Sequence, residues 1–329
     1  MKFRTEIQLQ PSERKISHSQ QIFGIGSCFV SEIGQKLSDL KFSTLANPFG
    51  TLFHPLAIEN ALMRIFSLTE YSREEIFKYG ELFFSWDHHT SFDRPTEKET
   101  LEIINSELET ANNFARNSNC FLLTFGTSWV YRLNDSGLFV ANCHKVPQHV
   151  FEKSLLTEKQ LCASIKNCFD LIFDVCPNAH IIATVSPVRH TKDGIIENSL
   201  SKARLISALH EVLGRYETVD YFPAYELVND DLRDYRFYSE DLVHPNQMAV
   251  DYIWQKFSEV YFDENTNSRI EQLKKINSAL AHRPLNPKTI AYKEFLYKTG
   301  KMIESIESQF PKNCFAEEKI KLQKLNELC

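Results

Sequence analysis

Apolar positions along the chain fall into two alternating rhythms. Short, mainly apolar stretches at 22–25, 42–46, 120–125, 180–185 and 218–222 read as strands. Between them, 29–40, 55–66, 96–113, 157–175, 198–216 and 245–260 repeat apolar residues every three or four positions, the period of an amphipathic helix. In the first of these the stripe is Phe29, Val30, Ile33, Leu37 and Leu40; in the last, Pro245 occupies the opening turn. Residues 129–143 alternate around Asn134-Asp135-Ser136-Gly137, a hairpin signal. Strands alternating with helices over 20–260 predict an α/β domain of three layers, α/β/α, around a parallel sheet. The stretch after the second strand, about 51–118, is too long for a simple crossover and is expected to be a large insertion that helps build a site. From 263 onward the chain is polar and helical, broken by Pro284, Pro287 and Pro311. The expected organisation is therefore 1–262 as the α/β domain and 263–329 as a C-terminal helical extension that packs beside it.

Charge narrows the function. Lys and Arg number 37 against 43 Asp and Glu, a net charge of -6, which argues against nucleic-acid partners. No run approaches the roughly 18 apolar residues of a membrane span. The opening MKFRTEIQLQPSERKISHSQQ has no apolar core of a signal peptide. With eight cysteines and no C-x-x-C pair, a cytoplasmic protein with reduced thiols is expected, and Cys162, Cys168 and Cys176 read as small buried hydrophobes of one helical stretch. Glycine is scarce, ten in 329, yet Gly24, Gly26, Gly50 and Gly126 all end or follow apolar runs. Such placement marks points where backbone must approach something closely.

In open parallel sheets the site lies beyond the carboxyl ends of the strands. There this chain carries Gly26-Ser27-Cys28-Phe29, Asn47-Pro48-Phe49-Gly50, Gly126-Thr127-Ser128-Trp129 and Ser186-Pro187-Val188-Arg189-His190. Asp241-Leu242-Val243-His244-Pro245-Asn246 precedes the last helix of the domain. One side thus offers a nucleophile, Ser27 or Cys28; the other offers a carboxylate and an imidazole three residues apart. A sharp strand-to-helix turn would place one nucleophilic side chain at a helix N-terminus, where the dipole lowers a thiol pKa. The plainer alternative is that Ser27 only caps the helix and Cys28 only packs. His88 and His89 beside Trp86 and Phe92 could line a sugar or acyl pocket, or be exposed loop residues. Asn47 is either an amide donor to an oxyanion or a turn residue before Pro48.

The run Gly26-Ser27-Cys28-Phe29-Val30 resembles the signature of the GSCFA family, and the block layout resembles the related SGNH, or GDSL, hydrolases. Segments 47–50, 86–92, 126–131, 141–145, 186–190 and 234–244 resemble the family as well, so the likeness spans roughly 20–260. The resemblance implies a flavodoxin-like parallel sheet and a covalent acyl-enzyme mechanism. It lays Ser27 on the superfamily's Asp position and Cys28 on its Ser position; residue type favours Ser27 and register favours Cys28. It sets Gly50 at the second-block glycine whose N–H completes the oxyanion hole, and Ser128 in place of the third-block Asn. It sets Asp241 and His244 at the Asp-x-x-His block, His244 as base and Asp241 as its orienting carboxylate. It also implies that Gly126, Thr127, Trp86, His88, His89, His144, Arg189 and His190 lie near the cleft.

The leading expectation is an esterase or acyltransferase acting on a small-molecule or carbohydrate ester, with no cofactor and no metal. The rival is a binding protein on a hydrolase-like scaffold, motivated by the altered nucleophile and oxyanion blocks. A metallohydrolase using His88, His89, His144 or Asp87 is a more distant third, since no H-x-x-x-H spacing supports it.

Overall fold

The computed structural model describes residues 4–310 and 314–327. Strand β1 (Gln21–Gly26) leads into helix α1 (Cys28–Asp39) and strand β2 (Ser43–Ala46). Helix α2 (Pro55–Ser67), a hairpin of β3 (Phe77–Tyr79) and β4 (Leu82–Phe84), and helix α3 (Glu97–Ala115) follow. After β5 (Cys120–Phe125) come β6 (Trp129–Leu133), β7 (Phe139–Val140) and β8 (Phe151–Leu155). Helix α4 (Glu158–Val175), β9 (His180–Val185), α5 (Ile195–Leu213) and β10 (Val219–Tyr221) complete the alternation. A short α6 (Ala224–Glu226) precedes α7 (Gln247–Tyr261), α8 (Glu264–Ala281), α9 (Ile290–Glu307) and α10 (Ala316–Glu327).

Five strands make one parallel sheet in the order β10-β9-β5-β1-β2. The chain starts at β1, steps outward to β2, then returns across to β5, so the order reverses between β1 and β5. A reversal of this kind leaves a crevice at the carboxyl ends of the two strands, because their connections depart on opposite sides. Side chains alternate between faces along each strand. Phe23, Ile25, Phe121, Leu123 and Ile181 pack with α2, α3, α4 and α5 on one face; Ile22, Leu122 and Ile182 pack with α1 and α7 on the other. The result is the three-layer α/β/α arrangement that the alternating pattern predicts.

The stretch 51–118 divides. Helices α2 and α3 bury Ile58, Leu62, Ile104 and Leu108 against the sheet, so they belong to its layer rather than to an insertion. The β3–β4 hairpin stands off the sheet and shares a satellite core of Phe84, Trp86, Leu133, Val140 and Phe151 with the small sheet β7-β6-β8. The expected hairpin at 129–143 is two strands of this three-stranded sheet; the third, β8, has too few buried positions to give a period in the sequence. Helices α8, α9 and α10 gather around Leu273, Ile276, Ile303, Phe310 and Phe315. They join the body through Thr266 Oγ1 donating to Ile16 O (3.3 Å) and the Lys41–Glu318 ion pair (2.6 Å). Among the described residues no helix is long and apolar enough to cross a membrane.

Candidate active site

The β1–α1 turn is built around Gly26, whose φ is +139°. A Cβ there would lie 2.2 Å from Thr124 O, so only glycine fits against β5. The turn is pinned by Ser27 N–H donating to the same carbonyl at 3.1 Å. Ser27 sits at the N-cap position but makes no capping bond; it is 1% exposed and its hydroxyl has no hydrogen-bond partner among the described residues. Cys28, the first residue of α1, instead borders a cavity of about 80 Å³ whose other walls include Phe29, Val188, His244, Pro245 and Ile253. Cys28 and His244 are thus both lining residues of this cavity, and Ser27 does not border it.

Contrary to the expectation from the helix dipole, the Cys28 thiol is pushed up. Burial is the largest influence; the Lys202 charge and the N–H groups of Cys28 and Phe29 oppose it without overcoming it. The opening N–H groups of a helix lack partners within it. Here they point at the sulfur and offset part of the desolvation, which keeps the resting thiol protonated.

Asp241 and His244 close a tight turn. One carboxylate oxygen accepts from Val243 N–H and His244 N–H, both at 2.9 Å, and the other meets His244 Nδ1 at 2.6 Å. These N–H groups, with the imidazole, hold the Asp241 carboxyl down at about 2. Leu242 takes a φ of +59°, uncommon for a leucine, and Ser239 N–H donates to His244 O at 2.8 Å. With Nδ1–H given to the carboxylate, Nε2 is the nitrogen left to accept a proton. Both side chains are about half exposed, 53% and 50%, so the pair orients the ring more than it stabilises the fold.

Three polar residues on the inner stripe of α5 bind the loops after β5 and β9. Asn198 Oδ1 accepts from His190 N–H at 2.9 Å. Ser201 Oγ accepts from Ser128 N–H at 2.7 Å and lies 3.0 Å from Thr127 Oγ1. Lys202 Nζ donates to Gly126 O and Ser186 O, both at 2.6 Å. None of the three was singled out from sequence. The signal was available: positions 198, 201 and 202 lie on the same helical stripe as Leu205, Ala208, Leu209 and Val212, where apolar residues belong.

Two proposed oxyanion donors are committed elsewhere. Ser128 is fully buried and its hydroxyl donates to Ser201 O at 2.8 Å, so it is turned into the α5 packing. Gly50 N–H donates to Asn47 O at 2.8 Å within its own turn. What demands glycine at 50 is the φ of +74° and His89, whose Cβ would lie 2.3 Å from a Cβ at 50. Asn47 acts as a brace: its Oδ1 accepts from Gly26 N–H and its Nδ2 donates to Ser31 Oγ, both at 2.8 Å.

The histidines of 86–144 are largely structural. His88 is fully buried, stacked 4.3 Å from Phe49, with neither ring nitrogen bonded among the described residues; burial lowers it to about 3 and keeps it neutral. His144 stacks on Phe84 at 4.2 Å and meets Asp93 at 2.9 Å; burial lowers the imidazole to about 4 and raises the Asp93 carboxyl to about 6. His89 caps the 3-10 turn at Thr90–Phe92, accepting from Ser91 N–H. Trp86 is 6% exposed and packs on Phe84 and Phe151 in the satellite core. His88 and His89 brace the loop carrying Asn47 and Gly50, His88 on the Phe49 ring and His89 N–H donating to Phe49 O at 2.9 Å, while Trp86 and His144 pack together with Phe84. Thr127, His190 and Trp129 border a separate 370 Å³ pocket under the small sheet. Arg189, held by Asn229 at 3.0 Å, borders a 460 Å³ pocket with Asp241, Tyr235 and Tyr238. Among the described residues no group of three His, Cys, Asp or Glu side chains is placed to hold a metal ion.

The family model described as "GSCFA family" matches residues 21–257, and that of "GSCFA domain protein, C-terminal domain" matches 273–327. No curated protein matches the chain. Among solved structures, a proposed platelet activating factor from Streptococcus pneumonia is 10% identical, with a TM-score of 0.39, over 72% of this chain and 83% of that one. An acetyl xylan esterase from the rumen bacterium Butyrivibrio proteoclasticus is 11% identical, with a TM-score of 0.36, over 73% of this chain and 65% of that one.

Proposed function

We propose that this chain, which belongs to the GSCFA family, is an esterase or acyltransferase of SGNH-hydrolase type that works through an acyl-Cys28 intermediate. The observation that carries the reading is the shared cavity of Cys28 and His244, with Asp241 on the far nitrogen of the imidazole. His244 Nε2 takes the thiol proton as Sγ attacks the ester carbonyl. Because burial keeps the resting thiol protonated, attack depends on this general base rather than on a standing thiolate. The tetrahedral oxyanion meets the N–H groups of Cys28 and Phe29 at the α1 N-terminus. His244 returns the proton to the departing alcohol, then activates the water or alcohol that releases the acyl group from sulfur.

Volume bounds the acyl group. A cavity of about 150 Å³ holds a benzene ring; one of about 80 Å³, walled by Phe29, Val188 and Ile253, suits an acyl chain of roughly two or three carbons. The alcohol side would occupy the polar pocket of Arg189, Tyr235 and Tyr238 beside Asp241, a lining suited to a hydroxylated, sugar-like group. Residues 1–262 form the hydrolase-like unit in this reading and 263–329 an appended helical unit.

His244→Ala is expected to lower kcat on a short-chain aryl acetate by about 10²–10⁴, without unfolding. Asp241→Asn is expected to cost less, since it orients rather than transfers the proton. Mass spectrometry of acid-quenched enzyme should find one acyl group on Cys28, lost in Cys28→Ala and kept in Ser27→Ala. A second reading follows from the committed Gly50 N–H and Ser128 hydroxyl: a ligand-binding protein on a hydrolase-like scaffold. Full binding of an acetylated sugar with no acyl-enzyme and unchanged background hydrolysis would establish it and remove the enzyme.

A further inference from the structure

Lys202 is 1% exposed, in the N-terminal half of α5. Its two carbonyl partners, Gly126 and Ser186, are the first residues past the ends of β5 and β9, which are neighbours in level register. The strand on the other side of β5 is β1, whose end turns into Cys28. Ser186 runs directly into Pro187 and Val188, which wall the Cys28–His244 cavity. An ammonium has three protons. Two are taken by the carbonyls, and the charge of Cys28 also acts on Nζ.

We infer that Lys202 is a positioning residue for the nucleophile: its ammonium, seated on the carbonyl ends of β5 and β9, supplies the counter-charge for the Cys28 thiolate. The inference rests on the acyl-Cys28 reading above, but it is read on the thiol itself. When His244 takes the thiol proton, negative charge appears on Sγ inside a buried pocket. Screening there is weak, so a fixed opposite charge is felt strongly. Glu32, along α1, opposes thiolate formation, and His244 lines the same cavity as Cys28. Burial pulls the Lys202 ammonium down to about 7, and the charge of Cys28 opposes that fall. Seated on the carbonyl that ends β5, the ammonium lies one strand over from the β1–α1 turn that carries Cys28.

The test compares Lys202→Met with wild type by the rate of iodoacetamide alkylation at Cys28, read by peptide mass spectrometry across pH 6–10. The variant is expected to alkylate at least about ten-fold more slowly near neutral pH, its profile moved up by about one pH unit, ten-fold in thiolate fraction being one unit of pKa. An unmoved profile in folded Lys202→Met overturns the inference. If that variant does not fold, the reciprocal one decides: in Cys28→Ser, the Lys202 ammonium, followed by 13C NMR of labelled lysine, should be lost at lower pH than in wild type. An unchanged lysine titration overturns the pair. Turnover of an aryl acetate on the same samples separates the two ideas. A moved profile without turnover keeps the pair and sinks the acyl-enzyme; turnover lost in Cys28→Ala with an unmoved profile does the reverse.

Discussion

At Gly50 the backbone takes a φ of +74°, and the missing Cβ leaves room for the His89 side chain. Gly50→Ala is expected to lower stability by about 1–3 kcal/mol, the usual cost of left-handed strain, with overlap against His89 adding to it. Thermal melting checks this; an unchanged melting temperature would mean that the 47–50 turn relaxes freely. The same position shows what single residues reveal in a sequence. Gly50 was legible as a place of close approach, because glycine is scarce in this chain. Its role as oxyanion donor was not legible, since that depends on whether its N–H is already spent, here on Asn47 O. Cys28, Asp241 and His244 were legible as candidates because nucleophile, carboxylate and imidazole at strand ends are a chemically unusual set. Ser128 misled for the opposite reason: a hydroxyl satisfies itself with whatever carbonyl is near, and here Ser201 O is near. The Cys28 thiol likewise answers to burial before it answers to the helix dipole, and burial is a property no single residue announces.

At the scale of elements, α5 carries the lesson. Its C-terminal half buries Leu205, Ala208, Leu209 and Val212 as the periodicity predicts; its N-terminal half puts Asn198, Ser201 and Lys202 on the same stripe and uses them as clamps. Ser201→Ala would leave Ser128 N–H buried without its acceptor and deprive Thr127 of its partner. The expected loss is about 1–3 kcal/mol of stability, the cost of an unsatisfied buried donor. Chemical denaturation checks it, and a loss well under that range would show that Ser128 finds another acceptor. The central strands β1, β5 and β9 could be read from their apolar runs because strands buried on both faces carry continuous apolar sequence, whereas the edge strands β2 and β10 are only partly buried and mix in Ser43, Thr44 and Asp220. The short strands of the hairpin and small sheet could not. β3 is exposed throughout and β7 has two residues, too few for any period. Nor did length distinguish an insertion from a layer: α2 and α3 lie in the long stretch before β5 yet cover the sheet.

Across the whole molecule, four imidazoles are buried neutral at junctions between units. His18, 2% exposed, gives its Nε2–H to Leu40 O at 3.0 Å, stacks on Phe42 and meets Phe310 edge-on, joining the body to the C-terminal helices. His54 accepts Ala57 N–H on Nδ1 and donates from Nε2 to Val140 O at 3.0 Å, tying α2 to the small sheet. His88 and His144 fill the packing beneath the 47–50 and 86–93 segments. Burial lowers His18, His54 and His144 to about 4 and His88 to about 3, against 6.5 when free. A group whose folded pKa lies below its unfolded value takes up its proton first in the unfolded chain. Each histidine therefore leaves the fold undisturbed above about pH 6.5 and draws stability away as pH falls from there toward 4. Asp87 and Asp93 act with the opposite sign, since burial raises both and the folded state holds their protons longer; four histidines outweigh them. The melting temperature should accordingly fall steeply between pH 6.5 and 4, with net proton uptake on unfolding near pH 5, measurable by calorimetry in buffers of different ionisation enthalpy. His54→Gln, whose amide can keep the bond to Val140 O, should flatten that slope by one histidine's share. A melting temperature that stays level from pH 7 to 4.5 would mean that these imidazoles reach water as readily in the native protein as in the unfolded chain.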